Sequence, residues 1–178
     1  ERLRLRLHGT GDAEWLHELY SRPDVARYLL DEPWTAEVTR DKLAERLSKT
    51  GLDGETNALA LVIEHGGVPI GDVLLWLTDK ERRVAEIGWV LHPAHGGHGF
   101  AREAVLRIAF EHHRLHRVVA QMDARNKASA RLASAVGMQQ EAHLRQDWWN
   151  KGEWTDTLVF ASLLDDPRPP VFDVNRPT

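Results

Sequence analysis

Three apolar runs crowd the middle of this chain: "ALALVIEH" (58–65), "PIGDVLLWLT" (69–78) and "VAEIGWVLH" (84–92). Gly66-Gly67 precedes the second run and "DKERR" the third. Connections this short cannot hold a crossover helix, so they join antiparallel neighbours and predict a three-stranded meander. The third run then passes into "HPAHGGHGFAREA" (92–104), which carries Gly96, Gly97 and Gly99. Phe100, Ala104, Ile108 and His112 follow at about one helical turn each, so the glycines stand where a strand hands over to a helix.

A helix N-terminus exposes unpaired N–H groups and partial positive charge, and glycines let the backbone approach an anion closely. A tight turn that needs positive φ would use the same residues. Two nucleotide signatures are unmet. G-x-x-x-x-G-K-[ST] is absent, and Arg102 stands where G-x-G-x-x-G would need its third glycine. A dinucleotide fold would also place this loop after its first strand, inside parallel βαβ units.

The remaining elements alternate. "LRLRLH" (3–8) has the period of a half-buried strand, and Trp15, Leu16, Leu19 and Tyr20 share one helical face. A short helix is predicted over Asp24–Leu30. Thr35 caps another that runs to about Ser48, with Val38, Leu43 and Leu47 as its apolar stripe. "TGLDGETN" reads as a polar loop and "RVVAQMD" as a buried strand. "NKASARLASAVG" reads as a helix capped by Asn126 and stopped by Gly137. A hairpin closes the series, "QQEAHLRQDWW" and "WTDTLVFASLL" around "NKGE". This order predicts an α/β (α+β) domain with a mixed sheet over residues 1–165, and a proline-rich extended tail over 166–178.

Composition narrows the function. At 178 residues and 42% hydrophobic, the chain can bury one real core. A net charge of -4 and a pI of about 6.2 argue against a nucleic-acid partner held by bulk electrostatics. No run of 18 apolar residues predicts a membrane span, and "ERLRLRLH" lacks a signal core. The absence of cysteine removes disulfides, zinc-thiolate sites and cysteine nucleophiles. A cytoplasmic location is the default expectation.

"EIGWVLHPAHGGHGFAREAVLRIAFEH" resembles the acyl-coenzyme-A-binding motif of the GNAT N-acyltransferase superfamily, Q/R-x-x-G-x-G/A, which maps onto Gly96, Gly97, His98, Gly99, Phe100 and Ala101. Gly99 and Ala101 match, whereas Gly96 stands where glutamine or arginine is usual. "MDARNKASARLASAVGM" resembles the next block, N-x-x-S and a helix, while "AEIGW" and "GEWTDTLVFASLL" look like the RimJ/RimL-like branch that acetylates ribosomal-protein N-termini. The resemblance spans Leu3 to Leu164. It implies a mostly antiparallel central sheet of about seven strands with helices on both faces. It also implies acetyl-CoA as cosubstrate and direct attack by an amine in a ternary complex. Trp89, Val90, Leu91 and His92 would splay from "RVVAQMD" to admit the pantetheine arm, with N–H groups near Val90 and Leu91 polarising the thioester. The backbone from Gly97 to Arg102 would hold the pyrophosphate, and Asn126 and Ser129 would sit beside the arm and the sulfur.

The acceptor side keeps alternatives open. Glu86 is a candidate base or a solvated strand charge. Ser129 is a candidate acid or part of a helix start; the family's usual tyrosine acid is vacant, because Tyr20 and Tyr28 lie in the N-terminal helices. Trp34, Trp148, Trp149 and Trp154 are candidate pocket walls, or core or dimer contacts, with Trp34 and Trp149 taken as the two that touch substrate. His92, His95 and His98 recur every three residues, but in a glycine loop without a close acidic partner. They are read as phosphate neighbours, with no metal. Three functions fit: an N-acetyltransferase for protein or peptide α-amines; the same chemistry on a small amine or antibiotic, for which Asp31 and Glu32 beside Trp34 speak; and a non-catalytic acyl-CoA-binding module. The partners expected are an acyl-CoA and an amine, no nucleic acid and no membrane, with a homodimer possible.

Overall fold

The computed structural model describes residues 3–96, 108 and 113–167. Its centre is an eight-stranded sheet. The strands are β1 (Arg4–Leu7), β2 (Thr50–Gly51), β3 (Ala58–His65), β4 (Val68–Asp79), β5 (Val84–Leu91), β6 (Arg117–Asp123), β7 (Gln139–Asn150) and β8 (Glu153–Leu163). Their spatial order is β1-β3-β4-β5-β6-β8-β7, with β2 paired to β3. Among the described residues only β5 and β6 pair in parallel; the other pairs run antiparallel. The meander is present over β3, β4 and β5. The closing hairpin turns at Lys151 and Gly152, both at positive φ, as a two-residue turn of matching twist requires.

The helices are α1 (Ala13–Tyr20), α2 (Pro23–Ala26), α3 (Ala36–Ser48) and α4 (Lys127–Ala135). Thr35 caps α3 by accepting the Val38 N–H, and Asn126 caps α4 by accepting that of Ser129. Gly137 takes φ of 90° just past α4, the left-handed stop its position predicted.

Each sheet face buries a different cluster. Ile63, Val73, Leu75, Ile87, Val118 and Phe160 meet Ala133 and Val136 of the α4 segment on one side. On the other, Leu16, Leu19, Tyr20, Trp34 and Leu43 pack toward Val90. β3 is apolar from Ala58 to Ile63 because both of its faces are covered there.

Two local expectations change. The helix expected over Asp24–Leu30 shrinks to Pro23–Ala26: Ala26 O accepts the N–H of Leu29, a tighter turn than an α-helix, and the hairpin tip adds Lys151 Nζ donating to Ala26 O and Asn150 Nδ2 donating to Leu29 O. The loop expected at "TGLDGETN" begins as a strand, Thr50 and Gly51 pairing with Leu59 and Ala58, and Leu52 behind it is buried.

Candidate active site

β5 and β6 start as partners and then part. Val84, Ala85 and Glu86 pair with Arg117, Val118 and Val119, and the pairing ends there although β5 runs on to Leu91 and β6 to Asp123. β4 meanwhile follows β5 to its end, Gly71 opposite Leu91 and Asp72 opposite Val90. The open fork therefore exposes β5 backbone on its β6 side. The ladder alternation says which groups are exposed. His92 N–H donates to Ile70 O at 2.8 Å, and on β4's other edge Leu77 N–H donates to Asn57 O at 2.9 Å. Antiparallel alternation then turns the N–H groups of Gly88, Val90 and His92 toward β4, and those of Trp89 and Leu91 into the fork. Val90, one of the residues read from sequence as presenting a free N–H, thus has that group facing Asp72's strand.

Alternation also sorts the side chains. Glu86, Gly88 and Val90 share a face with Asp72, Leu74 and Trp76 of β4 and with Val119 and Gln121 of β6. On β8 and β7 the same face carries Val159, Thr157, Leu144 and Trp148, and β7 is exposed along most of its length. The fork thus sits between the helix-packed half of the sheet and an open half. α4 starts four residues past the end of β6, at the open end of the fork. Ser129 N–H is held by Asn126 Oδ1 at 3.0 Å, while the Ser129 hydroxyl makes no hydrogen bond to a described residue.

A splayed parallel pair inside an antiparallel meander matches the acetyltransferase (GNAT) domain, whose family description fits residues 2–139 of this chain. This chain belongs to that family. It is 30% identical to an uncharacterized N-acetyltransferase, p20, from Bacillus licheniformis, across 92% of this chain and 93% of the relative. A spermidine N(1)-acetyltransferase from Vibrio cholerae is 26% identical, over 86% and 88% of the two chains. The solved structure of RimL, a ribosomal L7/L12 α-N-protein acetyltransferase in complex with coenzyme A, superposes with a TM-score of 0.81 at 20% identity, over 92% and 95%. The chain is an acetyl-CoA-dependent N-acetyltransferase, and the fork supplies an inward-facing pair of N–H groups, from Trp89 and Leu91, suited to an extended amide-bearing arm.

Within this acetyltransferase, Gly97, His98, Gly99, Phe100, Ala101 and Arg102 lie outside the described residues. Gly96 ends a 3-10 turn (Pro93–His95). His92 caps that turn, its Nδ1 accepting the Ala94 N–H at 3.2 Å, and its ring meets His95 edge-on at 5.8 Å. That bond occupies one lone pair of His92 for a structural purpose. Among the described residues no group of three or more His, Asp or Glu side chains is placed to hold a metal.

Glu86 is half-buried, and burial pushes its carboxyl above the ordinary range, a hydrogen bond from Gln121 opposing that rise. Other carboxylates of this region are engaged: Asp123 and Glu153 are ion-paired with Arg125, Glu141 with Arg117, and Asp156 is hydrogen-bonded to His143. No cation is paired with Glu86 among the described residues.

The two tryptophans read as pocket walls part company. Trp34 is 4% exposed and stacked on Tyr20 at 3.9 Å, with the Arg46 guanidinium beside the stacked pair, 5.0 Å from one ring and 5.3 Å from the other, so it is spent inside the fold. Trp149 is 58% exposed on the hairpin, edge-on to Trp154 at 5.4 Å. Asp31, read as part of an acidic acceptor loop, accepts the Trp34 indole N–H and lies 3.6 Å from Lys42.

Behind Val90 lies a buried polar network that the sequence analysis missed. Asp72 accepts from the Tyr20 hydroxyl at 2.5 Å and from Arg46 Nε at 2.7 Å. Burial and the adjacent Asp72 charge both push the Tyr20 phenol up, which keeps it neutral. His8 sits beside this network with both ring nitrogens buried and unpartnered, 3.8 Å from Asp72 and 4.0 Å from Asp12. Gly71 was also missed. An isolated glycine within the apolar run "PIGDVLLWLT" was the available signal.

Proposed function

We propose that this acetyltransferase acylates an α-amine at the N-terminus of a protein or peptide, in the manner of the RimJ/RimL-like branch, by direct attack on acetyl-CoA in a ternary complex. The observation that carries the reading is Glu86: a desolvated carboxyl without a cationic partner, where β5 and β6 part, on the sheet face that stays open toward β7. Burial favours its protonated form, which makes it a better base at neutral pH. The amine loses its proton to Glu86, directly or through water. The N–H groups of Trp89 and Leu91 receive the developing oxyanion, and the Ser129 hydroxyl protonates the leaving thiolate. The backbone from Gly97 to Arg102 holds the pyrophosphate and Asn126 lines the arm.

The ion pairing of Asp31 with Lys42 and of Asp123 and Glu153 with Arg125 leaves fewer free carboxylates for a polycation, which supports an acceptor with one amine. An α-amine suits a modest base: near pKa 7.8 roughly one molecule in seven is neutral at pH 7, against about one in 2,500 for a lysine side chain. The second reading, a small polyamine, is favoured by the likeness to the Vibrio cholerae spermidine N(1)-acetyltransferase.

Thiol release from acetyl-CoA, measured with N-terminal peptides, spermidine and an aminoglycoside in parallel, separates the two. Peptides are expected to give the highest kcat/KM; spermidine outrunning all of them would reverse the assignment. Glu86→Gln is expected to lower kcat/KM about tenfold to a hundredfold while coenzyme A affinity stays unchanged.

A further inference from the structure

The open half of the Glu86 face ends in an apolar strip. β8 sets Val159 opposite Gln121 and Thr157 opposite Asp123, and β7 sets Leu144 opposite Thr157 and Trp148 opposite Thr155. Alternation puts Leu144 and Trp148 on the side that carries Glu86. Leu144 is 41% exposed and Trp148 48%. The other two tryptophans of the hairpin point to the reverse side. Trp149 and Trp154 are cross-strand partners one residue out of phase with Trp148 and Thr155, and their rings meet edge-on. Trp148 is therefore the hairpin tryptophan on the side of the base, a place that the sequence reading gave to Trp149. Contacts on both sides hold it there. Between Leu144 and Trp148 the pairing with β8 shifts at a bulge, and the Asp156 carboxylate pins that bulge by accepting the Gln146 N–H at 2.9 Å. Beyond Trp148 the hairpin tip is tied to the helical layer: Asn150 Nδ2 donates to Leu29 O at 3.2 Å and Lys151 Nζ to Ala26 O at 2.5 Å.

We infer that Leu144 and Trp148 form a docking strip for the acceptor chain, which takes an apolar side chain several residues in from the amine. The inference rests on the proposal that the acceptor is a protein or peptide α-amine. In the strand order β7 stands beyond β6 and β8 from β5, a lateral distance of roughly 14 Å at about 4.8 Å per strand. An extended chain advances about 3.3–3.6 Å per residue, so an acceptor with its amine at the fork reaches the strip with about its fifth residue, and a tripeptide stops short. Val159 and Thr157, both half-buried, carry the open face from the fork to the strip. The charges that border it, Asp123, Arg125 and Glu153, are paired with one another, so what the strip offers an acceptor is burial of apolar surface. A second copy of this chain is the competing occupant. A stable contact between copies buries about 800 Å² on each, well beyond what two half-exposed side chains supply. One apolar side chain of an acceptor matches the strip in size.

The test is a length series. Thiol release from acetyl-CoA is measured with a tripeptide and with an octapeptide of the same N-terminal sequence, the octapeptide carrying either leucine or aspartate at its fourth to sixth positions. Wild type, Trp148→Ala and Trp154→Ala are compared; both tryptophans are exposed, so neither substitution opens the core. In wild type the leucine octapeptide is expected to exceed the tripeptide about tenfold in kcat/KM, chiefly through KM, and the aspartate octapeptide to lose that gain. Trp148→Ala is expected to bring the leucine octapeptide down to the tripeptide level, whereas Trp154→Ala keeps the gain. Equal kcat/KM for short and long peptides in wild type, or an undiminished gain in Trp148→Ala, overturns the strip and leaves the α-amine assignment standing. Turnover of spermidine with neither peptide length accepted overturns that assignment and the strip with it. Sedimentation velocity on the same proteins reads the competing occupant: a wild-type dimer that Trp148→Ala converts to a monomer overturns the acceptor role.

Discussion

Gly71 is where a single methyl group should reach the chemistry. It lies on β4 opposite Leu91, in the stretch of β5 that has left β6. A Cβ there would stand 2.3 Å from Val90 O, 3.0 Å from Leu91 Cα and 3.1 Å from Leu91 Cδ2. The two nearest atoms are backbone, so no rotamer change relieves the contact. Restoring an ordinary separation of roughly 3.4 Å requires the strands to move apart by about 1 Å. Overpacking of this kind costs roughly 1–3 kcal/mol, which for a chain of this size is a fall in Tm of about 2–12 °C. The movement falls on the strand whose Leu91 N–H is proposed to face the thioester, and a misplacement of about 1 Å at a reacting centre can cost ~100-fold. Gly71→Ala is therefore expected to lose both stability and, by about tenfold to a hundredfold, kcat/KM for acetyl-CoA. Gly51→Ala is the control, since a Cβ at that glycine meets nothing within 4 Å. Scanning calorimetry and steady-state kinetics on the same preparations read both effects. A Gly71→Ala protein with lowered Tm but wild-type kinetics would refute the link between the β4 contact and the fork. Unchanged Tm would refute the contact itself.

The buried network gives two further expectations. Arg46→Met strips the Asp72 carboxylate of its guanidinium in a fully buried place and is expected to cost roughly 3–5 kcal/mol in urea unfolding; a loss under about 1 kcal/mol would mean that water or Tyr20 replaces the pair. His8 is held neutral chiefly by burial, with the Asp72 charge pulling the other way and the Arg46 charge reinforcing burial. A free imidazole titrates near 6.5, so between that pH and the lower folded value the unfolded chain binds more protons. The His8 contribution is thus complete above about pH 6.5 and declines as pH falls, and His8→Leu is expected to flatten the slope of Tm between about pH 7 and 5. An unaltered slope would assign the acid sensitivity to other groups.

The local elements were legible because each is written within a few neighbouring residues. The caps at Thr35 and Asn126, the stop at Gly137, the meander of β3, β4 and β5 and the turn at Lys151-Gly152 all rest on short-range chemistry. So did the resemblance that pointed to the family, since the residues from Glu86 to His112 are contiguous. Long-range packing decided the rest. Arg46 sits in an ordinary helical position, and its pairing with Asp72 depends on α3 crossing β4. Trp34 reads as one more aromatic until Tyr20 and Arg46 enclose it. The helix expected over Asp24–Leu30 stops at Ala26, where a hairpin tip more than 120 residues later in the chain binds its carbonyls. Sequence period determines which way a side chain points along its own strand. Strand order and the end of pairing, which are properties of the whole sheet, determine what it meets there.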